Sequence, residues 1–239
     1  MGKHLDPIDN LLMPFSNRVS IYFCSVGLLI FTSMPSLISQ VNIKIGYTPG
    51  WGSFELINDN LNQYNLINEA NLEKPFGSLN FIHGLDVGLR YRSANVSFEF
   101  SWNNMTRDRD ALLYFEQNDV FESRLYKFGL NSFSFGTDTY FKRFGLGVSI
   151  LSQKLNIKRE IGTNQVSLVS ERQYSLDFHL NYILQQGKSV EVVLRPYFRY
   201  SLNPYNISRF SEDLNNSGLD SSSDFEMYGI SLLFFNGRN

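Results

Sequence analysis

Cysteine is all but missing from this chain: one residue in 239, Cys24, sits inside an apolar run at positions 19–31, VSIYFCSVGLLIF. If that run is removed as an export leader, no thiol remains, which excludes disulfides and Cys-based metal sites. Cys24 is also poorly placed to carry a lipid anchor, because only about five apolar residues precede it and most of the run would lie beyond the lipidated residue. Charge is scarce as well, at 18% of residues against about 25% in ordinary soluble domains. The formal net charge of −2 gives no basic excess for a nucleic-acid partner. Long apolar segments are lacking too: the run of about 13 residues falls short of the roughly 20 a membrane-spanning helix needs. Aromatic residues, in contrast, reach 15%, with 21 Phe and 13 Tyr, a mixture suited to a sheet that meets lipid.

The apolar run has the length of a signal-peptide core, with Arg18 as its positive flank and small residues at Ser36 and Ser39. Residues 1–39 are therefore expected to be a signal peptide cleaved before Gln40, and residues 40–239 a single barrel domain. Met13 is an alternative start, since MPFSNR followed by the apolar run is an ordinary export signal.

Beyond the leader the chain alternates apolar and polar residues with period two, as a sheet with two chemically different faces requires. Val41, Ile43, Ile45 and Tyr47 share one face. Leu85, Val87, Leu89 and Tyr91 oppose Gly84, Asp86, Gly88 and Arg90, with His83 on the apolar face and Ile82 on the polar one. Val96, Phe98, Phe100 and Trp102 oppose Ser97, Glu99 and Ser101. A fourth segment starts with Tyr126, Phe128 and Leu130 on one face and changes phase to Phe133 and Phe135, which predicts a bulge near Asn131 or Ser132. A fifth runs from Phe144 to Ile150 and loses its phase at Leu151. The sixth, Tyr174 to Leu184, is regular; the seventh, Val190 to Leu202, contains Pro196, which removes one ladder donor. The last places Tyr228, Ile230, Leu232 and Phe234 on one face and leaves Leu233 and Phe235 hard to sort.

These segments predict an all-β fold, an antiparallel up-and-down transmembrane barrel of about eight strands, with ten as the alternative. Connection lengths agree, since such barrels alternate short periplasmic turns with longer outer loops. Short turns fall at Ser93 and Ala94, at Lys142 and Arg143, and at residues 185–187; long connections fall at 49–78, 105–122, 159–164 and 203–223. In the first long loop Phe54, Ile57, Leu61 and Tyr64 recur at helical spacing, which predicts a short helix over the mouth or on the rim, with Ser53 as N-cap.

Residue size identifies the interior face. The polar face carries Gly84, Gly88, Gly145, Gly147 and Gly229 with charges of both signs, a set that fits the narrow lumen of eight strands. The opposite face is bulky, and Tyr91, Trp102, Phe144, Tyr182, Phe198, Tyr200 and Tyr228 are expected near strand ends, as in the aromatic girdles of membrane barrels. With its leader, strands such as FIHGLDVGLRYR and RFGLGVSI, and the final YGISLLFF, the chain resembles the small outer-membrane β-barrel proteins of the OmpX and OmpA transmembrane-domain type, including those common in Bacteroidota. The resemblance spans about residues 40–236 and implies an outer-membrane location in a Gram-negative cell envelope. The terminal aromatic usual in such barrels is followed here by four further residues after Phe235.

The lumen is expected to hold a charge network of Lys44, Asp86, Arg90, Glu99, Lys127, Asp177, His179, Glu191, Arg195 and Arg199. Mixed sign is needed there, because an isolated buried ion costs several kcal/mol. The expected role is structural, or binding and adhesion through the outer loops. The alternatives are a subunit of a larger outer-membrane transport or secretion machine, a small gated porin, and a barrel enzyme acting on lipid. No catalytic residue, metal or cofactor is expected: His179 with Asp177 points into the lumen, and His83 near the outer rim has no serine beside it. Expected partners are outer-membrane lipid and lipopolysaccharide, the barrel-assembly machinery, and a protein at the outer loops; no nucleic acid is expected.

Overall fold

The structure is a computed structural model and describes residues 41–236 apart from 94, 118, 162, 163, 188, 217–221 and 224. The expected leader at 1–39 lies outside the described residues.

Eight antiparallel strands close into a ring: β1 (Val41–Ser53), β2 (Phe81–Ser93), β3 (Val96–Phe115), β4 (Val120–Phe141), β5 (Phe144–Ile161), β6 (Asn164–Gln186), β7 (Val190–Ser201) and β8 (Glu226–Asn236). Each pairs with its chain neighbours, and β8 returns to β1. Following directly paired residues once around shows the stagger. Ile43 leads through Leu89, Phe100, Phe135, Ile150, Leu176, Tyr200 and Glu226 back to Ser53, ten residues further along β1. A stagger of that size tilts eight strands by about 40°. Closure leaves no unpaired edge in the ring, the condition for backbone to cross lipid.

Outward residues form a continuous apolar belt, with Ile45, Leu89, Phe100, Phe135, Leu146 and Phe178 all exposed on the barrel wall. On β1 it runs from Val41 to Trp51, which at the usual strand rise and this tilt is about 25 Å, the height of a hydrocarbon core. Tyr182 and Phe144 pack in a tilted pair near the short-turn end, while Trp51 packs between Phe81 and Tyr228 at the other. Trp102 and Phe198 lie within their strands, opposite Val87 and Tyr228, rather than at strand ends.

The segment at 105–122 is not a loop. β3 spans 20 residues and β4 spans 22, and β5 likewise continues to Ile161 while β6 already begins at Asn164. The long-and-short alternation therefore lives partly in strand length: β3 to β6 rise well above the belt as a four-stranded wall.

The phase change in β4 also has a different cause from a bulge. Pairing to β3 and β5 is continuous through Asn131 and Ser132. Tyr126, Phe128, Leu130 and Ser132 all point inward, and Phe133 and Phe135 outward. The interior itself changes from polar to apolar toward the outer end, so apolar residues switch face without any backbone irregularity. Leu151, Leu155 and Ile157 of β5 follow the same rule. Register shifts occur instead between Ile157 and Lys158 on the β5–β6 ladder and between Ile183 and Gln185 on the β6–β7 ladder. Pro196 stays paired with Ile230, while the ladder to β6 skips from the His179–Tyr197 pair to the Tyr182–Leu194 pair. The missing amide donor thus falls at a gap in that ladder.

Two connections fold over the outer mouth. In residues 54–80, α1 (Glu55–Ile67) buries Ile57, Leu61 and Tyr64; Phe54, rather than Ser53, occupies its N-cap position. In residues 202–225, α2 (Ser208–Asp213) buries Phe210. Both faces join inward residues of β3 to β6 in one apolar cluster that fills the mouth.

Candidate functional site

The interior is stacked in three layers, each set by which residues the alternation aims inward. At the short-turn end lies a small apolar floor of Tyr140, Ile183, Val193, Leu233 and Phe235, which sorts the two ambiguous residues of β8. Two arginines of β2 cover it. Arg90 donates to Glu191 at 2.6 Å, with its guanidinium 3.6 Å from the Phe235 ring centre. Arg92 donates to the other Glu191 oxygen at 2.9 Å and lies 4.1 Å over Tyr140. Charge pairing and cation–π contact together hold these buried cations.

Above the floor, carboxylates and cations alternate in a chain through the lumen. Lys44 Nζ lies 3.0 Å from Asp86 and 3.3 Å from Glu99. Glu99 receives two parallel hydrogen bonds from Arg195, at 2.9 and 2.7 Å. Arg195 also donates to Asn181 Oδ1 at 2.6 Å, and Asn181 donates to Asp138 at 2.7 Å. His179 then bridges two acids, with Nε2 2.7 Å from Asp138 and Nδ1 2.9 Å from Asp177. Arg199 closes the chain on Asp177 at 3.4 Å. A neutral imidazole carries one N–H and can donate to only one of these acids; imidazolium donates to both. With His179 charged, Lys44, Arg195, Arg199 and His179 balance Asp86, Glu99, Asp138 and Asp177. Gly147 makes room for this bridge, because a Cβ there would collide with both Asp138 and His179.

Nine of the ten expected lumen residues lie in these two layers. Lys127 does not: it projects from the outer wall and pairs with Glu160 at 2.6 Å. The inward face of β4 at that height belongs to Tyr126 and Phe128, so apolar residues there mark the interior and not the lipid side. Two members were missed, Asp138 and Arg92. Both were legible, Asp138 by counting alternation from Phe133 and Phe135, and Arg92 because it shares the parity of Asp86 and Arg90.

A cavity of about 30 Å³ lies against the ion chain, lined by Lys44, Asp86, Glu99 and Arg195 together with Thr48, Asn103 and Ser132, polar and large enough to admit water. The mouth above is closed by polar ties as well as by packing. Asn58 and Asn65 of α1 each both accept from and donate to the returning chain, at Leu79 and Phe76. Asn216 donates to the Asn60 carbonyl at 2.8 Å, joining the two connections. Asp213 of α2 accepts from Tyr126 at 2.7 Å and pairs with Arg159. Burial pushes the Tyr126 hydroxyl well above the usual tyrosine range, and its bond to Asp213 adds to the rise.

No protein-family model and no curated protein matches the chain. Solved structures with a similar arrangement include Ail, the attachment invasion locus protein of Yersinia pestis, at 11% identity and TM-score 0.46 over 82% of this chain and 96% of that one. Neisserial surface protein A is similar at 8% identity and TM-score 0.44, over 83% of this chain and 97% of that one. The outer membrane protease OmpT from Escherichia coli is similar at 11% identity and TM-score 0.35, over 87% of this chain and all of that one. By its closed ring and its lipid-high apolar belt, the chain is an eight-stranded outer-membrane β-barrel protein.

Proposed function

We propose that this protein is a non-conducting outer-membrane scaffold that presents a rigid binding platform outside the cell. The observation that carries this reading is the double closure of the lumen: an ion chain crosses its middle and a packed apolar cluster fills its outer mouth. Side chains that fill a narrow barrel leave no water-filled path. The strands nevertheless continue past the belt, so the raised wall of β3 to β6 is built for something other than crossing lipid, and rigid outer elements are where such scaffolds bind. Catalysis is not part of the reading. His179 is held between two acids below the plug, and His83 lies on the outer wall against the rings of Tyr47 and Phe81.

The test has two arms. Protein reconstituted in planar bilayers should carry no steady large conductance, and open-channel currents would overturn the closed-lumen half. Cells displaying the barrel should attach to immobilised extracellular proteins and glycans, and a variant with residues 111–124 replaced by a tight turn should not. Attachment equal to that of cells lacking the protein would overturn the platform half.

A further inference from the structure

The outer wall carries a cationic site with no counter-charge of its own. Lys154 of β5 and Arg172 of β6 are directly paired across the ladder, and alternation turns both outward, next to exposed Tyr174 at the top of the apolar belt. Two pairs further out, Lys158 stands opposite Lys127 of β4. Lys127 is compensated, by its ion pair with Glu160 and by Asp108 directly across on β3. Among the described residues Lys154, Lys158 and Arg172 make no ion pair. The outward neighbours of Lys154 and Arg172, which are Asn131, Ser152, Asn156 and Ser170, carry no charge, and Glu160, two residues beyond Lys158 on the same face, is taken up by Lys127. Like charges placed directly opposite are destabilising in a sheet, so this register is unfavourable unless an anion bridges it. The cations are also one-sided: just above the belt on other strands stand Thr106, Asp108, Leu202 and Glu226.

The occupant must be anionic at the level of Lys154 and Arg172 and apolar immediately below, where Ile150 and Phe178 face the hydrocarbon. We infer that this surface of β5 and β6 binds a phosphorylated headgroup of an outer-leaflet lipid, with Lys154 and Arg172 clamping one phosphate and Lys158 reaching a second anionic group further out. A doubly charged phosphate between two facing cations removes their repulsion and gives arginine its fork geometry. The inference requires only that the raised wall lie outside, which cysteine labelling tests separately.

The full chain is refolded into phosphatidylcholine vesicles with and without lipid A, and the temperature at which the folded, heat-modifiable gel band is lost is measured. Lipid A should raise that temperature by several degrees. The Lys154→Gln/Arg172→Gln variant should lose the rise, yet match or exceed the parent in pure phosphatidylcholine, because the facing charges no longer repel. Lys154→Arg, which keeps the charge, and Lys74→Gln, which removes a cation paired elsewhere with Asp110, should both keep it. Millimolar inorganic phosphate over pure phosphatidylcholine should give no rise. A parent indifferent to lipid A, a double variant that still responds, or an equal response to free phosphate would each overturn the assignment.

Discussion

Arg195 of β7 and Glu99 of β3 face each other across the lumen through two parallel hydrogen bonds of 2.9 and 2.7 Å, almost wholly removed from solvent. Neither strand neighbours the other in the ring, so this contact ties opposite walls. Truncating one partner of a buried pair leaves the other uncompensated, at a cost of about 3–5 kcal/mol. Glu99→Ala and Arg195→Ala should each lower the urea midpoint of the reconstituted barrel. The double variant Glu99→Leu/Arg195→Met should cost less than either single change, since no orphan charge remains between that pair. A double variant as damaged as the sum of the singles would show that the two residues act independently.

The outer plug should fail separately from the ring. Leu61 is fully buried on the inner face of α1, and truncating a leucine in such a site costs about 2–5 kcal/mol. That loss falls on two connections, not on the closed ladders. Leu61→Ala should therefore expose residues 54–80 to protease while the heat-modifiable band of the barrel persists, as expected when stability is regional. Simultaneous loss of both would show that plug and ring unfold as one unit.

Alkaline pH should loosen the same plug. Tyr64, Tyr126 and Tyr205, all above the belt, have hydroxyls pushed up from the usual 10.0, chiefly by burial. Above pH 10 the unfolded form loses these protons and the folded form keeps them, so folding binds more protons and stability falls as pH rises. Below pH 10 both forms are neutral and the contribution is fully present. Protease protection of the two outer connections should decline past pH 10, and Tyr126→Phe should weaken that dependence. Unchanged protection well above pH 10 would contradict the assignment.

The barrel was legible in the sequence because lipid enforces one rule on every strand: outward residues at the height of the belt, such as Ile45, Leu89, Phe100 and Phe178, are predominantly apolar. The interior obeys no single rule. Where it is polar, alternation marks the inward residue, and nine lumen charges follow from parity. Where the plug fills it, Tyr126, Phe128 and Leu155 are apolar on the inward face, the contrast disappears, and Lys127 is assigned to the wrong side. The same loss of contrast hides the true lengths of β3 and β4. Above the lipid, outward residues such as Asp108 and Asp110 turn polar, so the strands read as loop. The helix in residues 54–80 kept its periodicity because it is amphipathic in its own right. The ties made by Asn58, Asn65 and Asn216 carry no sequence signature, since each depends on a backbone group brought near by folding.

Orientation follows from the asymmetry of the two ends. The ends of β2, β4 and β6 and the starts of β3, β5 and β7, which the three short connections join, lie at the end that also holds the start of β1 and the end of β8. In membrane barrels with an even strand number the short turns and both termini share the periplasmic side. The raised wall and the plug then face outward. Asn216, although in an outer connection, is buried and bonded to Asn60, so a thiol placed there would report packing rather than sidedness. Gln117 at the β3–β4 turn and Ser189 before β7 are both exposed. Since Cys24 is the sole native cysteine and lies in the expected leader, Gln117→Cys and Ser189→Cys give single-thiol proteins. A membrane-impermeant maleimide applied to intact cells should label Gln117→Cys and spare Ser189→Cys until the outer membrane is broken. The reverse pattern would put the plug and the basic site of β5 and β6 in the periplasm, removing both the outer platform and the outer-leaflet lipid from the account at once.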